Sequence, residues 1–287
     1  MKDLLFIALQ YITPQTLLSR VAGYVAQTKI PWIKNPIMQW FVKRYNVDMS
    51  IAAEPDLTQY AHFNDFFTRQ LAPGQRPIDA DPNAIVCAAD GCISQLGDIQ
   101  HGRIFQAKGQ DYSLVELLGG SEGLAEPFKG GSFATIYLSP RDYHRVHMPL
   151  TGSLQTMIHI PGDLFSVNDT TATHVPRLFS RNERVVAIFS TDVGPMAVIL
   201  VGAMIVASIE TVWAGLVTPD KRAIRTTHYD KTQEITLQKG AEMGRFKLGS
   251  TAIVLFAEDV AKWHDSLTAQ SAVMMGQAMG TIANSDR

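Results

Sequence analysis

The pattern of apolar and polar positions changes once along this chain. In the first part, apolar residues recur at the three- and four-residue spacing of amphipathic helices, as in residues 17–25. From Ala84 onward, short apolar or alternating runs are separated by glycine, proline, aspartate and asparagine, as in strands joined by turns. These connections are too short for parallel crossovers. The pattern therefore predicts an α+β fold, with N-terminal amphipathic helices followed by a mostly antiparallel β core.

Two proline-containing pairs predict where the helices begin. Thr-Pro at positions 13–14 and Asn-Pro at positions 35–36 each combine a capping side chain with proline at the first helical position. The second helix should carry Ile37, Trp40 and Phe41 on one side, with cations near its end. Such helices bind the interface of a bilayer. A helical cap packed on the body of the protein is the alternative. A further helix is expected at residues 111–118.

Charge and composition favour the membrane interpretation. Residues 1–47 carry six basic residues and Asp3, a net charge of +5, whereas the whole chain carries −2, so the remaining 240 residues carry −7. We expect an anionic membrane surface as partner and no nucleic acid. The predicted division is a membrane-associating helical region at 1–70 and a β-rich catalytic domain at 71–287. Two cysteines exclude a disulfide framework and a four-cysteine metal site.

Four residues are candidates for chemistry. Asp90 ends a strand in AADG, His144 and His147 lie in the unusual run YLSPRDYHRVHMP, and Ser250 follows Gly249 directly before an apolar strand. Taken singly, Asp-Gly and Gly-Ser are usually turns, and histidines are usually surface or core residues. The two histidines could bind a metal, but a third ligand at matching spacing is missing. An acid, a histidine and a serine can also build a triad.

The surroundings of Ser250 favour attack on its own chain. The sequence LGSTA does not match the G-x-S-x-G motif of serine hydrolases. A glycine directly before the serine leaves its carbonyl carbon open to the Ser250 hydroxyl. Transfer of the acyl group from nitrogen to oxygen, followed by elimination, would leave a pyruvoyl group at residue 250.

Six blocks of the chain resemble, in the same order, those of the pyruvoyl-dependent phosphatidylserine decarboxylases of the bacterial and mitochondrial type. These blocks are FNDFFTRQLAPGQRPID (63–79), AADG (88–91), YLSPRDYHRVHMP (137–149), GDLFSVN (162–168), NER (182–184) and GRFKLGST (244–251). The resemblance implies a carboxy-lyase that converts phosphatidylserine to phosphatidylethanolamine and CO₂, without a metal. It also implies a precursor that cleaves itself into chains 1–249 and 250–287, which stay together.

The same resemblance implies roles for individual residues. Asp90, His147 and Ser250 match the family's self-cleaving triad, the bond between Gly249 and Ser250 is the cleavage site, and Ser250 becomes the pyruvoyl cofactor that forms a Schiff base with the substrate. His144 matches a histidine of the decarboxylation step. Phe165 and Ser166 are candidate lipid contacts.

The resemblance also implies where the protein acts. The expected location is peripheral, on the cytoplasmic face of the inner membrane, and a second copy of the chain is a further candidate partner. Two other functions are open: a scaffold that binds a lipid headgroup without turnover, and a serine peptidase with an uncleaved Ser250.

Overall fold

The computed structural model describes residues 6–8, 10–11, 15–204, 208–218, 223–230, 232, 234–247 and 250–283. The predicted helix start at 13–14 and Gly249 of the predicted cleavage site lie outside the described residues. Residues 6–8 and 10–11 are helical. The helices that follow are α1 Gln15–Ala26, α2 Pro31–Tyr45, α3 Phe63–Phe67, α4 Leu114–Leu117, α5 Glu122–Ala125, α6 Asp169–His174 and α7 Leu178–Arg181, with 3₁₀ turns at Leu57–Gln59 and Glu126–Phe128.

Strands are the main elements of the chain after residue 83. They are β1 Ala84–Val86, β2 Gly91–Asp98, β3 Arg103–Ala107, β4 Gln110–Ser113, β5 Ser132–Leu138, β6 Arg145–His147, β7 Gly152–Ile160, β8 Arg184–Thr191, β9 Gly194–Val201, β10 Ile209–Thr211, β11 Gly215–Leu216, β12 Arg225–His228, β13 Thr236–Leu237, β14 Glu242–Phe246, β15 Ser250–Phe256, β16 Ala261–Trp263, β17 Ala272–Val273 and β18 Ala278–Ile282.

The largest sheet has the strand order β12-β7-β8-β9-β15-β5-β2-β17, with β13 also paired to β7. Every pair of strands in it is antiparallel. The predicted α+β fold with a mostly antiparallel core is therefore confirmed. Strand β15 lies in the middle of this sheet, and Ser250 at its beginning pairs with Leu138 at the end of β5.

Both faces of the large sheet are covered, which explains the continuous apolar run in β15. Ala252, Val254 and Phe256 belong to one hydrophobic cluster, and Ile253 and Leu255 belong to the other. Because successive side chains of a strand point to opposite faces, each cluster takes alternate residues. A strand buried on both faces loses the apolar–polar alternation of a half-exposed one.

A second sheet, β11-β10-β14-β6, packs on the first of these clusters. Val146 of β6 and Phe246 of β14 are fully buried in it. Only residues 247–249 connect β14 to β15, so this sheet stays close to the beginning of β15. The fold thus brings the histidine-rich run near Ser250.

The helical region has a core of its own, built from Met38, Phe41 and the aromatic residues of α3. Two predictions for α2 were wrong in detail. The helix begins at Pro31, which occupies its first turn, so Pro36 lies inside it. Phe41 is buried while Trp40 is 59% exposed, so the expected common face is divided between core and solvent. Within the described residues, no helix has the length and apolar character needed to cross a membrane.

One further helix is shorter than the pattern indicated. The predicted helix at 111–118 is strand β4 as far as Ser113, followed by α4, because the Ser113 hydroxyl accepts a hydrogen bond from the Glu116 N–H and caps the helix there. In the apolar run at 204–212, β10 covers Ile209–Thr211, and residues 205–207 lie outside the described part of the chain.

Candidate active site

The candidate residues converge on one end of the large sheet. Gly91 begins β2 with φ +155°, and a Cβ atom there would lie 2.1 Å from the Tyr137 carbonyl oxygen. Only glycine permits this close approach of β2 to β5. Since Ser250 pairs with Leu138 on the other side of β5, the chain near Asp90 lies about 10 Å, two strand spacings, from the start of β15.

Asp90 is buried and forms an ion pair with Arg76. Its carboxylate accepts hydrogen bonds from Arg76 Nε, at 2.8 Å to Oδ1, and from Arg76 Nη2, at 2.5 Å to Oδ2. The backbone N–H of Met275 donates to Oδ1 at 2.9 Å. Met275 follows the predicted cleavage site, so Asp90 contacts both prospective chains.

His147 has both ring nitrogens engaged. Its Nδ1 lies 2.8 Å from the Gly240 carbonyl oxygen, and its Nε2 lies 3.1 Å from the Tyr143 hydroxyl. A carbonyl oxygen can only accept, so Nδ1 carries the proton and Nε2 is the basic nitrogen. Burial lowers the pKa of His147 below its ordinary value, while the hydrogen bond to Gly240 and the nearby carboxylates act in the opposite direction.

The structure makes Asp90 and His147 neighbours but gives each its own partners. The His147 N–H donates to the Ala88 carbonyl at 2.7 Å, which brings the two backbones together. In the described part of the chain, the Asp90 carboxylate is held by Arg76 and Met275 rather than by the imidazole. Asp90 therefore lies near His147 and affects it through its negative charge, without a hydrogen bond between the two side chains among the described residues.

His144 is completely buried beside the same site. Its Nδ1 donates to the Asp142 carbonyl at 2.8 Å, and its ring packs against Phe67 of α3 at a centroid distance of 4.0 Å and an interplanar angle of 43°. Its Nε2 has no hydrogen-bond partner among the described residues. Burial lowers the pKa of His144 to about 3, so the ring is neutral.

The segment that leads to Ser250 runs past His144. The Phe246 N–H donates to the His144 carbonyl at 3.0 Å. Four residues further on, Ser250 begins β15, so its backbone lies at most about 14 Å from that of Phe246. The structure brings Asp90, His144, His147 and the backbone of Ser250 to one region.

The candidate lipid contacts lie at the same end of the large sheet, beneath the first helical residues: Asn182 Nδ2 donates to the carbonyls of both Phe165 and Gly202, and Gly202 follows Val201, which pairs with Thr251. Phe165 is 2% exposed, and its ring packs against Tyr11 at 5.0 Å and against the Arg181 guanidinium at 4.6 Å. The Ser166 N–H donates to the Gln10 side chain at 3.0 Å. The chain itself buries Phe165, whereas Ser166 is half-buried.

Several residues of the site were not identified from the sequence as functional. Arg76 and Tyr143 contact Asp90 and His147 directly, and Arg145 forms an ion pair of 2.7 Å with Glu242, which pairs with His147 across β6 and β14. Arg76 and Tyr143 both lie in blocks that resemble those of the family, 63–79 and 137–149. Their location in these blocks was the signal that the sequence offered, but it did not indicate a role for either residue.

The described residues contain no group of three or more histidine, cysteine or acidic side chains suited to a metal ion. Among the described side chains of the site, Nε2 of His144 and Oε1 of Glu242 are buried atoms without a hydrogen-bond partner, and Oε1 forms an ion pair with Arg245 at 2.9 Å.

Comparison with known proteins extends over almost the whole chain. The profile of the family described as phosphatidylserine decarboxylase matches residues 63–281, and a second profile, described as PSD, matches residues 5–46. A phosphatidylserine decarboxylase proenzyme of Pseudomonas entomophila is 63% identical over 285 residues, covering 99% of each chain. Proenzymes of the same name from Pseudomonas putida and Pseudomonas fluorescens are each 62% identical, with at least 98% of each chain covered.

Proposed function

The chain belongs to the phosphatidylserine decarboxylase family and is a decarboxylase, and we propose that it forms its own pyruvoyl cofactor by cleaving the bond between Gly249 and Ser250. The observation that supports this most is the position of Ser250: it opens a central strand at the sheet end where Asp90, His144 and His147 are buried. The relatives are named proenzymes, which also supports processing.

In the proposed cleavage, Ser250 attacks its own preceding carbonyl. His147 takes the proton of the Ser250 hydroxyl at Nε2, the oxygen attacks the Gly249 carbonyl carbon, and the acyl group moves from nitrogen to oxygen. The proton passes to the amine that Ser250 regains. Asp90 favours this transfer because its negative charge stabilises the imidazolium form of His147.

An elimination then separates the two chains. The ester at residue 250 loses its Cα proton, and Gly249 departs as a carboxylate. Water displaces ammonia from the remaining enamine and leaves a ketone at the start of the small chain. The fragments are residues 1–249 and 250–287. The large sheet should hold them together, because β15 pairs with β5 from Ser250 to Phe256 and with β9 from Thr251 to Phe256.

The surroundings of residue 250 fit a pyruvoyl group. When present, its ketone would condense with the substrate amine and accept the electrons left at Cα as CO₂ departs. The buried Nε2 of His144, which lacks a partner among the described residues, is a polar atom available for such a reacting group. Buried polar atoms are normally paired, so an unpaired one beside a candidate site supports a catalytic role.

We propose that His144 donates the proton that the substrate Cα receives after CO₂ departs. The ring is neutral in the precursor because burial holds its pKa at about 3. It must therefore take up a proton at Nε2 before it can donate one to Cα. The hydrogen bond from Nδ1 to the Asp142 carbonyl fixes the ring so that Nε2 remains the exchanging atom.

A lipid substrate accounts for the helical region, which we assign as residues 1–70. Trp32 is 76% exposed and Trp40 is 59% exposed, and Tyr24 is also largely exposed. Exposed aromatic residues and a net charge of +5 on residues 1–47 suit the interface of an anionic bilayer. The proposed location is peripheral, on the cytoplasmic face of the inner membrane.

We propose Phe165 and Ser166 as lipid contacts, on the condition that the first helical residues move away from them. Residues Gln10 and Tyr11 cover them in the described state. Contact with an acyl chain or a headgroup there therefore requires the first helical residues to move aside, which insertion of that segment into a bilayer would achieve.

The deciding experiment combines a denaturing gel with an assay of the same preparation. The wild-type chain should yield two fragments, with a keto group at the start of the small one by mass spectrometry, and should release CO₂ from phosphatidylserine. Ser250→Ala should give one inactive chain, and Ser121→Ala, which alters the half-buried cap of α5, should behave as wild type. A wild-type chain that decarboxylates while intact would refute the pyruvoyl proposal.

A further inference from the structure

Tyr143 is the side chain that contacts the basic nitrogen of His147. Its hydroxyl lies 3.1 Å from Nε2, and the two rings lie 5.6 Å apart between centroids. Both side chains are buried, with Tyr143 6% exposed and His147 8% exposed. The contact therefore persists without competition from bulk water.

The tautomer of His147 defines the direction of this hydrogen bond. Because Nδ1 donates to the Gly240 carbonyl, the unprotonated Nε2 can only accept, and the Tyr143 hydroxyl donates to it. When Nε2 gains a proton, the phenolic oxygen can accept the new N–H instead. Hydrogen bonds to a charged group are stronger than neutral ones, so the hydroxyl favours the protonated ring.

We propose that Tyr143 is a positioning residue for chain cleavage, which holds the His147 ring in place and accepts the hydrogen bond of the imidazolium as it forms. The inference rests on the proposed function in that His147 is the base of that cleavage. The proton balance is closed: the hydrogen leaves the Ser250 hydroxyl, resides on Nε2 while Tyr143 accepts from it, and passes to the Ser250 amine. Tyr143 itself gains and loses none.

Tyr143 can perform this role because it remains a neutral phenol. Burial raises its pKa to about 12, so it keeps its proton at any pH at which the protein works. Charged groups surround the pair from every neighbouring element, and all of them must be considered in any pH dependence: Arg76 and Asp90 before β2, Arg145 on β6, and Glu242 and Arg245 on β14.

The other side of Tyr143 faces a pocket. This pocket has a volume of ≈ 280 Å³ and is lined by Arg76, Tyr143, Arg145, Glu242 and Met275, among others. Tyr143 thus both lines this pocket and contacts Nε2 of His147. Removal of its hydroxyl would leave a protonated Nε2 facing an apolar ring edge with no acceptor.

The first test measures the pKa of the His147 ring directly and does not depend on chain cleavage. In the uncleaved Ser250→Ala chain, ¹⁵N NMR titration of His147 should show a lower pKa after Tyr143→Phe, because the protonated ring loses its acceptor. Tyr60→Phe is the matched control: it removes a hydroxyl from a tyrosine of similar burial, which donates to the Glu54 carbonyl at 2.6 Å. This control should leave the titration of His147 unchanged.

The second test measures cleavage of the full-length wild-type chain over a range of pH. Tyr143→Phe should slow the plateau rate about tenfold, the difference expected between a charged and a neutral hydrogen bond. It should also move the acid limb to lower pH, whereas Tyr60→Phe should do neither. A purely structural role would lower thermal stability without moving this limb.

The outcomes separate the two proposals. An unchanged or raised pKa of His147 in Tyr143→Phe overturns the role of Tyr143, as does an unchanged cleavage profile. If the wild-type chain never cleaves, the proposed function fails, and the titration still decides whether Tyr143 controls the ring. Should Tyr143→Phe not fold, 3-fluorotyrosine at position 143 serves instead. Its weaker acceptor oxygen should lower the pKa in the same direction, and no change would refute the inference.

Discussion

The Asp90 carboxylate is bound in a two-point contact by Arg76, with Nη2 2.5 Å from Oδ2 and Nε 2.8 Å from Oδ1. This pair is largely buried, with side-chain exposures of 13% for Arg76 and 7% for Asp90. A second Arg–Asp pair, Arg103 with Asp111, has the same 2.5 Å separation but lies on the surface. The two pairs differ chiefly in burial.

This difference predicts the effect of removing each arginine. Arg76→Met should destabilise the chain by about 3–5 kcal/mol, since it leaves a buried charge without its partner. Arg103→Met should cost about 0.2–1 kcal/mol, as exposed pairs do. Urea denaturation of both variants in the Ser250→Ala background provides the measurement. Equal losses would contradict the importance of burial here.

Arg76→Met should also slow chain cleavage, because Asp90 would lose the contact that fixes its carboxylate beside His147. Arg76→Lys should recover part of the rate, since it restores the charge but not the two-point geometry. The time course of fragment formation on a gel, with Arg103→Met as control, measures this. Normal cleavage in Arg76→Met would show that Asp90 needs no positioning by Arg76.

His144 should be dispensable for cleavage but required for turnover. His144→Ala should still form two fragments, yet decarboxylate on the order of 10²–10⁴-fold more slowly, as is typical when general acid catalysis is lost. Fragment ratio and CO₂ release are measured on one preparation. His174→Ala, on the exposed end of α6, is the control and should retain both properties. An uncleaved His144→Ala chain would contradict this separation of roles.

The buried neutral state of His144 also makes stability depend on pH. Its pKa of about 3 in the folded chain lies below its ordinary value of 6.5, so between these values the unfolded chain binds the proton and the folded chain does not. The contribution of the neutral His144 ring to the free energy of unfolding is therefore complete above pH 6.5 and is lost as the pH falls towards 3. The slope amounts to about 1.4 kcal/mol per pH unit for one group.

The measurement is urea denaturation of the Ser250→Ala chain between pH 7.5 and pH 5. His144→Phe should reduce the pH dependence, while His174→Gln, which changes an exposed histidine, should leave it as it was. Burial lowers the pKa of His147 as well, so part of the slope should remain in His144→Phe. A slope unaffected by His144→Phe would contradict the neutral buried ring.

Membrane binding should depend on the exposed tryptophans of the helical region. Trp32→Ser together with Trp40→Ser should weaken binding to vesicles that contain anionic lipid, and higher salt should weaken binding of the unaltered chain. Phe105→Ser, at a similarly exposed aromatic residue of the β region, is the control. Binding that is insensitive to both tryptophans would refute the assigned membrane surface.

Much of the fold followed from local patterns. The apolar runs of β5, β7, β8, β9 and β15 were identifiable because strand burial is recorded in consecutive residues. The start of α2 was missed since Pro31 and Pro36 both suit a first turn, and the choice depends on how Met38 and Phe41 pack against α3. Local signals could not distinguish the two.

For the candidate site, the sequence by itself determined which residues are candidates for the chemistry, because Asp90, His144, His147 and Ser250 lie in blocks that resemble those of the decarboxylase family. Only the tertiary structure decided what those residues bind. Arg76, Tyr143, Gly240 and Met275 come from separate segments of the chain, yet all contact Asp90 or His147. Hydrogen bonds between distant segments depend on how sheets pack, and packing is a property of the whole fold that no local pattern contains.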